Sequence, residues 1–251
     1  MPGAIEIFGI KDLPEIRSGD DLGALICAAT NQQGTPLVKS DVIVITQKIV
    51  SKAEGRIINL SDITPSPLAV QIASEHERDP RHTEVVLQET KRIVRMNRGV
   101  IISETKHGFI CANAGVDASN ASGEGTVCLL PLNSDTSADR IKTFIRNVLG
   151  IQVAVIISDT FGRPWREGAI NVSIGVAGIS PLSDYRGKQD SHGQELRTTT
   201  IAIADELASA GELVMGKLDR VPVAVIRGYD YSNDIEGIDS LIRPKEKDLF
   251  Q

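Results

Sequence analysis

The apolar run at residues 153–157 (VAVII) constrains the fold more than any other stretch of this sequence. A strand with one wet face alternates apolar and polar residues, and this run has no polar position. We therefore expect a strand that is buried on both faces of its sheet. The polar sequence at residues 158–168 (SDTFGRPWREG) follows directly and predicts a glycine-containing turn. The end of the strand would then deliver Asp159 to a cleft.

Composition places the chain among soluble globular proteins. Its 251 residues are 41% hydrophobic and 24% charged, and no window approaches the roughly 18 apolar residues of a membrane span. The N-terminus lacks a basic region followed by an apolar run, so we expect no signal peptide, no membrane partner and a cytoplasmic location. A net charge of −6 disfavours nonspecific binding to nucleic acid.

The three cysteines are odd in number and form no CxxC pair, which argues against a disulfide framework or a thiolate zinc site. We expect them to be buried. Patterns of apolar residues predict strands at residues 4–8, 41–45, 99–102, 109–112, 126–130, 153–157, 169–179 and 223–226. Helices are predicted at residues 66–78, 83–96, 137–149 before Gly150, and 197–215, with one more from a cap at Asp20 or Asp21 to residues 31–34.

A first group of basic residues follows the strand at residues 41–45. Residues 46–56 (TQKIVSKAEGR) are predicted to be a loop that carries two lysines, a serine and an arginine. A polyanion could bind at such a strand exit. The alternative is that the lysines lie in solvent, where most lysines are found.

A second polar group, residues 113–120 (NAGVDASN), also follows an apolar strand. Asp117 would face Asp159 from a separate strand end, with Asn120 and Thr160 beside them. Such an oxygen-only set suits Mg²⁺ or Mn²⁺ that holds nucleotide phosphates. Two plain alternatives stay open: an Asx-turn that merely ends a strand, and an ordinary turn capped by Asp159 with its arginines in solvent.

Five motifs together resemble, in the same order, those of the coenzyme F420 γ-glutamyl ligase family. They are LPEI at 13–16, QKIVSKAEGR at 47–56, NAGVDASN at 113–120, SDTFGRPWREG at 158–168 and RGKQDSHGQEL at 186–196. The resemblance implies a mixed-sheet α+β fold and an intertwined homodimer. It also implies a single ligase domain over residues 1–251, open to division into two subdomains. Some family members carry a C-terminal flavin reductase domain, and we expect none in this chain of 251 residues.

The activity implied by the resemblance is a GTP-dependent amide ligation. L-glutamate would be added to the lactyl carboxylate of F420-0 through an acyl phosphate, and a γ-linked oligoglutamate tail would be extended. Mg²⁺ or Mn²⁺ is the implied cofactor, K⁺ is an optional further cation, and GTP is a co-substrate. Two other classes remain as alternatives: a nucleotide-binding regulatory module and a metal-dependent phosphohydrolase.

The resemblance also assigns roles to single residues. Asp117, Asp159 and Thr160 match the family's metal ligands, and Asp159, Lys52 and Arg163 are expected to stabilise charge during catalysis. The positions expected to contact the nucleotide are Leu13, Pro14, Glu15, Ile16, Gln47, Lys48, Lys52, Asn120, Met215, Gly216 and Lys217.

The chain departs from the family pattern at three of these positions. Gln47 and Lys48 differ in type from the family's form, and Lys217 stands where the family has an acidic metal ligand after Met-Gly. Asp219 or Glu206 could replace that ligand. There is no GxxxxGK[ST] motif, so the expected nucleotide site is a non-standard one built from strand ends.

Overall fold

The structure is a computed structural model that describes residues 3–118, 123, 125–232 and 236–249. The first half of the chain contains β1 (Glu6–Ile10), α1 (Leu22–Gln32), β2 (Val42–Thr46), α2 (Gln47–Ala53), β3 (Ile57–Asn59), α3 (Pro67–Ser74), α4 (Pro80–Glu89), β4 (Thr90–Asn97), β5 (Val100–Thr105) and β6 (Ile110–Ala112). The second half contains β7 (Thr126–Cys128), α5 (Ser134–Leu149), β8 (Ala154–Arg163), β9 (Arg166–Ala177), β10 (Ser183–Asp184), β11 (Thr200–Ile201), α6 (Ile203–Met215) and β12 (Val223–Arg227).

A five-stranded mixed sheet with the order β1-β12-β2-β8-β9 forms the centre of the molecule. Strands β2 and β8 are parallel, with Val42 opposite Ala154, and every other pairing in this sheet is antiparallel. The prediction of a mixed-sheet fold with helices and strands is confirmed. The remaining strands form the antiparallel sheets β4-β5-β6, β3-β7 and β10-β11.

Both faces of the central sheet are buried, as the apolar run predicted. Val155 and Ile157 point into one core together with residues of α1 and α5, whereas Ala154 and Ile156 point into a second core together with residues of α6. All four side chains have 0% of their surface exposed. The absence of polar positions in this strand is therefore explained by apolar contacts on its two sides.

Two helix ends predicted from the sequence are confirmed. Asp21 is the N-cap of α1, where its carboxylate accepts a hydrogen bond from the amide of Ala24 at 3.1 Å. Gly150 ends α5 in the left-handed conformation with φ of 70°, which glycine adopts without steric cost. Capping depends on residues next to each other in the chain, so both ends are readable locally.

A third core lies outside the central sheet. Ile72 of α3, Val85 and Val86 of α4, Ile101 of β5 and Val127 of β7 pack together in it. The predicted hairpin of β5 and β6 is present, with Ser103 opposite Cys111. This second layer of helices and strands supports the segment that carries Asp117.

The prediction of a loop over residues 46–56 is wrong, because Gln47–Ala53 is a helix. Ile49 and Val50 are buried on its inner side. Lys48 and Lys52 are four positions apart, so both lie on one side of the helix. The polar residues of this stretch favoured a loop after the strand. The contacts of Ile49 and Val50 with the core stabilise a helix instead.

The prediction of one helix over residues 83–96 is also wrong. Asp79 caps α4 and Pro80 occupies its first turn, so the helix begins earlier, and it ends at Glu89. The following residues form β4, which pairs with β5 and alternates between more and less exposed positions over much of its length. Pairing with β5 therefore overrides the apparent helical spacing of the apolar residues.

A third difference concerns the stretch that follows the apolar run. Residues 158–163 continue β8 instead of forming a turn, and only Pro164 and Trp165 connect β8 to β9. Trp165 has φ of 58°, and 81% of its surface is exposed. The predicted helix over residues 197–215 likewise begins later, at Ile203.

Cys27, Cys111 and Cys128 are buried free thiols, as predicted. Among the helices in the described part of the chain, none is long and apolar enough to cross a membrane.

Candidate active site

The candidate site lies at the edge of the central sheet where β2 ends. Thr46, the last residue of β2, pairs with Ser158, so Asp159 is the first residue of β8 that extends past its parallel neighbour. Ile10 at the end of β1 and Val223 at the start of β12 reach the same edge. This edge therefore also receives the segment that follows β1 and the one that precedes β12. Asp159 thus lies at this edge although its own strand continues to Arg163, so the prediction that the strand ends just before Asp159 is wrong.

Helix α2 brings its two lysines to this edge. The Lys48 ammonium lies 2.8 Å from a carboxylate oxygen of Asp117. Asp117 is held through its main chain, which exchanges hydrogen bonds of 2.8 and 3.0 Å with Cys128. Lys48 thus links a carboxylate carried beside the third core to the end of β2.

One turn further along α2, Lys52 pairs with Glu15 at 2.6 Å. The hydrogen bond from Lys52 holds the pKa of Glu15 below its ordinary value. Within the segment that precedes α1, Leu13 packs partly against the core and Ile16 is buried, whereas Pro14 and Glu15 are exposed. The segment is anchored by its apolar side chains and presents its polar part beside Lys52.

Asp159 is half-buried and has an unusual titration. Burial raises its pKa from 3.8 to about 6, and the neighbouring charge of Asp117 adds to the rise. The amide of Thr160, which donates to the Asp159 carboxylate at 2.8 Å, and the positive charges of Lys48 and Lys217 act in the opposite direction. The two predicted carboxylate ligands are therefore close enough to influence each other.

The hydroxyl of Thr160 is the centre of a polar chain that crosses to α6. It accepts a hydrogen bond from the Lys217 ammonium at 2.5 Å and donates to the amide oxygen of Asn171 at 2.8 Å. Asn171 in turn donates to the carboxylate of Glu212 at 2.8 Å. Neither Asn171 nor Glu212 was predicted from the sequence as a site residue. Their polar side chains were the only indication of a role in the site, because neither residue follows the end of a strand.

The segment after α6 approaches the site through its exposed residues. Met215 is fully buried in the core, so its side chain faces away from the sheet edge. Gly216 has φ of 60°, and Lys217 follows it and reaches Thr160. Glu206 is exposed, and its charge affects Tyr229, which follows β12 at the opposite edge of the sheet. Glu206 therefore does not join Asp117 and Asp159.

Other predicted residues have side chains that are engaged elsewhere. Gln47 is buried and donates to the main-chain oxygen of Leu129 at 2.8 Å, so only its main chain is available to a ligand. Arg163 lies further along β8 and donates to the main-chain oxygens of Glu167 and Gly168 within its own hairpin. Asn120 lies outside the described residues. The nucleotide-binding and catalytic roles assigned to these residues remain predictions.

The donor atoms of the site suit a hard divalent cation whose remaining ligands are phosphate oxygens. In the part of the chain that the structure describes, no three His, Cys, Asp or Glu side chains are grouped to hold a metal ion. The available set is the carboxylates of Asp117 and Asp159 with the hydroxyl of Thr160. Asp117 and Thr160 already face the ammonium groups of Lys48 and Lys217, so their oxygens are directed at positive charge. Mg²⁺ commonly binds through one or two carboxylates and takes its other ligands from phosphate and water.

Comparison with known proteins identifies the family. Residues 9–228 match the family model described as F420-0:Gamma-glutamyl ligase. The chain is 46% identical over 250 residues to the "Coenzyme F420:L-glutamate ligase" of Methanothermobacter thermautotrophicus, covering 98% of this chain and 99% of the relative. It is 44% identical to the protein of the same name from Methanocaldococcus jannaschii, covering 98% of this chain and 97% of the relative. For the Methanopyrus kandleri protein of that name, the identity is 41%, covering 99% of this chain and the whole relative. The chain therefore belongs to the F420-0:gamma-glutamyl ligase family.

Proposed function

We propose that this protein is a GTP-dependent ligase that joins L-glutamate to the lactyl carboxylate of coenzyme F420-0. It then extends a γ-linked oligoglutamate tail. The observation that carries the proposal is the charge arrangement at the sheet edge. Two carboxylates and a hydroxyl, from Asp117, Asp159 and Thr160, lie beside the ammonium groups of Lys48 and Lys217. The names of the relatives support glutamate and coenzyme F420 as the reactants.

The basic side chains of the site would bind the nucleotide phosphates. Lys48 and Lys52 lie one turn apart on α2, and Lys217 reaches the same edge from the end of α6. These positive charges offset the negative charge of GTP in a protein whose net charge is −6. Asp117, Asp159 and Thr160 would hold Mg²⁺ or Mn²⁺, which supplies further neutralisation of phosphate charge. K⁺ is an optional further cation.

Amide formation from a free carboxylate requires a better leaving group than hydroxide. A carboxylate oxygen of F420-0 would bond to the γ-phosphorus of GTP while the bond to the bridging oxygen breaks and GDP leaves. The amino nitrogen of L-glutamate would then bond to the acyl carbon, phosphate would leave, and the nitrogen would release a proton. The task of Lys52 is to stabilise the charge spread over the transferring phosphoryl group. We assign the same task to Arg163, provided that its side chain leaves the carbonyls of its hairpin.

The molecular assembly belongs to the proposal as well. We propose that the protein is a homodimer, as the family resemblance implies. Light scattering coupled to size-exclusion chromatography measures the mass directly, and the mass of a single chain, 27.0 kDa, would contradict the dimer.

The test of the function is an incubation of the protein with GTP and Mn²⁺, with and without F420-0 and L-glutamate. We expect GDP formation that requires both acceptors, and a product whose mass rises in steps of one glutamate residue. GTP hydrolysis that ignores the acceptors would instead identify a phosphohydrolase. GTP binding without turnover would identify a regulatory nucleotide-binding module.

Asp159→Asn makes the test specific to the site. Loss of this electrostatic stabilisation should lower turnover by about 100-fold to 1000-fold. The matched control is Asp62→Asn on the exposed surface of a short 3₁₀ helix, which should keep the original rate. An unchanged rate of Asp159→Asn at saturating metal would contradict the assignment.

A further inference from the structure

We propose that Asn171 and Glu212 are positioning residues that hold the hydroxyl of Thr160 as a hydrogen-bond acceptor toward a cation. The inference rests on the metal site of the proposed function and extends it to residues behind the site. It is carried by the chain of hydrogen bonds from Lys217 through Thr160 and Asn171 to Glu212.

The direction of every hydrogen bond in this chain is determined by its two ends. A carboxylate accepts only, so the amide nitrogen of Asn171 must face Glu212 and its oxygen must face Thr160. The proton of the Thr160 hydroxyl therefore points at Asn171. An ammonium donates only, so Lys217 meets a lone pair of the same hydroxyl. Glu212 at one end of the chain and Lys217 at the other therefore require the same orientation of the Thr160 hydroxyl.

The position of Asn171 in the fold keeps this arrangement of hydrogen bonds fixed. Asn171 is 3% exposed and lies directly opposite Thr160 in the pairing of β8 with β9. Its main-chain oxygen also accepts a hydrogen bond from Ser209 at 2.7 Å. Ser209 and Glu212 are three residues apart and thus on one side of α6. Burial and the pairing with β8, without the hydrogen bond from Ser209, are enough to leave the side chain of Asn171 little freedom to turn.

The hydrogen bond to Asn171 determines which side of the Thr160 hydroxyl faces a cation. A free hydroxyl can rotate and present its proton to a cation, which repels it. With the proton engaged by Asn171, the oxygen presents lone pairs to the side where Lys217 lies. Outer partners of this kind orient metal-binding groups, and their loss typically weakens metal binding by about 10–100-fold.

The test measures binding of Mn²⁺ alone, from the electron paramagnetic resonance signal of the free ion during titration. We expect Asn171→Ala to weaken binding by about 10–100-fold. Glu212→Ala should weaken it also, and Glu212→Gln should restore most of the loss because its amide oxygen still accepts from Asn171. If Asn171→Ala does not fold, the half-buried Glu212 supplies the same test.

Two controls separate positioning from a merely structural role. Ser209→Ala removes another link between α6 and Asn171 but leaves the polar chain intact, so its Mn²⁺ affinity should equal that of the original protein. In a Thr160→Val background, Asn171→Ala should cause no further loss, because no hydroxyl remains to be oriented.

The outcomes are distinct. Equal loss from Asn171→Ala with and without the Thr160 hydroxyl, or unchanged Mn²⁺ binding in a folded Asn171→Ala or Glu212→Ala, would overturn the positioning role alone. Absence of Mn²⁺ binding to the original protein would overturn the metal site and the positioning role together.

Discussion

At the sheet edge, each charged residue changes the electrostatic environment of another. Lys48 neutralises Asp117, Lys52 neutralises Glu15, and Asp159 is left in a half-buried position with a raised pKa. A carboxylate that is costly to ionise without a cation becomes a favourable ligand once one binds, because the cation replaces the lost hydration. Of the carboxylates at this edge, Asp159 is therefore the one whose ionisation an incoming cation would favour most.

Asp159 makes the stability of the cation-free protein depend on pH. Its folded pKa is about 6 against an ordinary value of 3.8, so in this window the folded state keeps a proton that the unfolded chain has released. The contribution of Asp159 to stability therefore falls as pH rises through the window and is constant above it. We expect Asp159→Asn to gain stability relative to the original protein over the same range. Urea unfolding in a chelating buffer, at pH values on both sides of the window, measures the difference. A difference that does not change with pH would contradict the raised pKa.

Lys52 should act on the nucleotide and not on glutamate. Loss of a charge-assisted hydrogen bond costs about 1.5–3 kcal/mol, so Lys52→Ala should weaken GTP binding by about 10–100-fold. The apparent affinity for L-glutamate should stay as it is. Calorimetry with GTP and steady-state kinetics with glutamate measure the two. Lys39→Ala is the matched control, because it removes an exposed lysine just before β2, at the opposite edge of the sheet. Equal weakening of both ligands would place Lys52 elsewhere.

At the scale of elements, the site depends on how α5 and α6 pack against β9. Asp205 of α6 accepts two hydrogen bonds from Ser173, one from the amide at 2.8 Å and one from the hydroxyl at 2.6 Å. The pairing of β8 with β9 shifts register at this point, between Ile157 and Ser158. The shift is what sets Thr160 opposite Asn171, since bulges redirect the side chains that follow them.

At Gly175, β9 packs tightly against Ser134 at the start of α5. An added Cβ would lie 2.5 Å from the main-chain carbon of Ser134, so Gly175→Ala forces the strand and helix apart. We expect a loss of about 1–3 kcal/mol in the free energy of unfolding, measured by chemical denaturation. Gly162→Ala in β8 is the control, because no atom lies within 4 Å of its added Cβ. Similar losses in both variants would show that the close packing at Gly175 is not the cause of the lost stability.

At the scale of the whole molecule, the two edges of the central sheet have different tasks. The edge at Asp159 carries the candidate site. At the opposite edge, Arg227 donates to both carboxylate oxygens of the fully buried Asp41 at 2.8 Å, and to the main-chain oxygen of Pro36 at 2.9 Å. Arg227 and Asp41 are 186 positions apart in sequence, so their contact ties the end of β12 to the start of β2.

Removal of Arg227 should therefore affect stability and not the site. Arg227→Met leaves the buried charge of Asp41 without its ion-pair partner, which costs about 3–5 kcal/mol. The lower end is expected because Arg227 is partly exposed and the amide of Val38 still donates to Asp41 at 2.9 Å. Thermal and chemical unfolding measure the loss, while GTP affinity should not change. Arg186→Met breaks a similar pair with Asp184 on the exposed surface and should cost far less. A large loss of GTP affinity in Arg227→Met would show that the two edges are coupled.

Local sequence alone determined the burial of residues 153–157 on both faces, the cap at Asp21 and the end of α5 at Gly150. It also indicated the polar groups around Asp117 and Asp159. Each of these depends on burial or capping within a few neighbouring residues. The tertiary structure decided that residues 47–53 are helical and residues 90–97 a strand, because contacts with distant segments outweighed local preference. It alone set Thr160 opposite Asn171 and brought Glu212 behind them, since strand register and helix packing join residues that no local pattern relates.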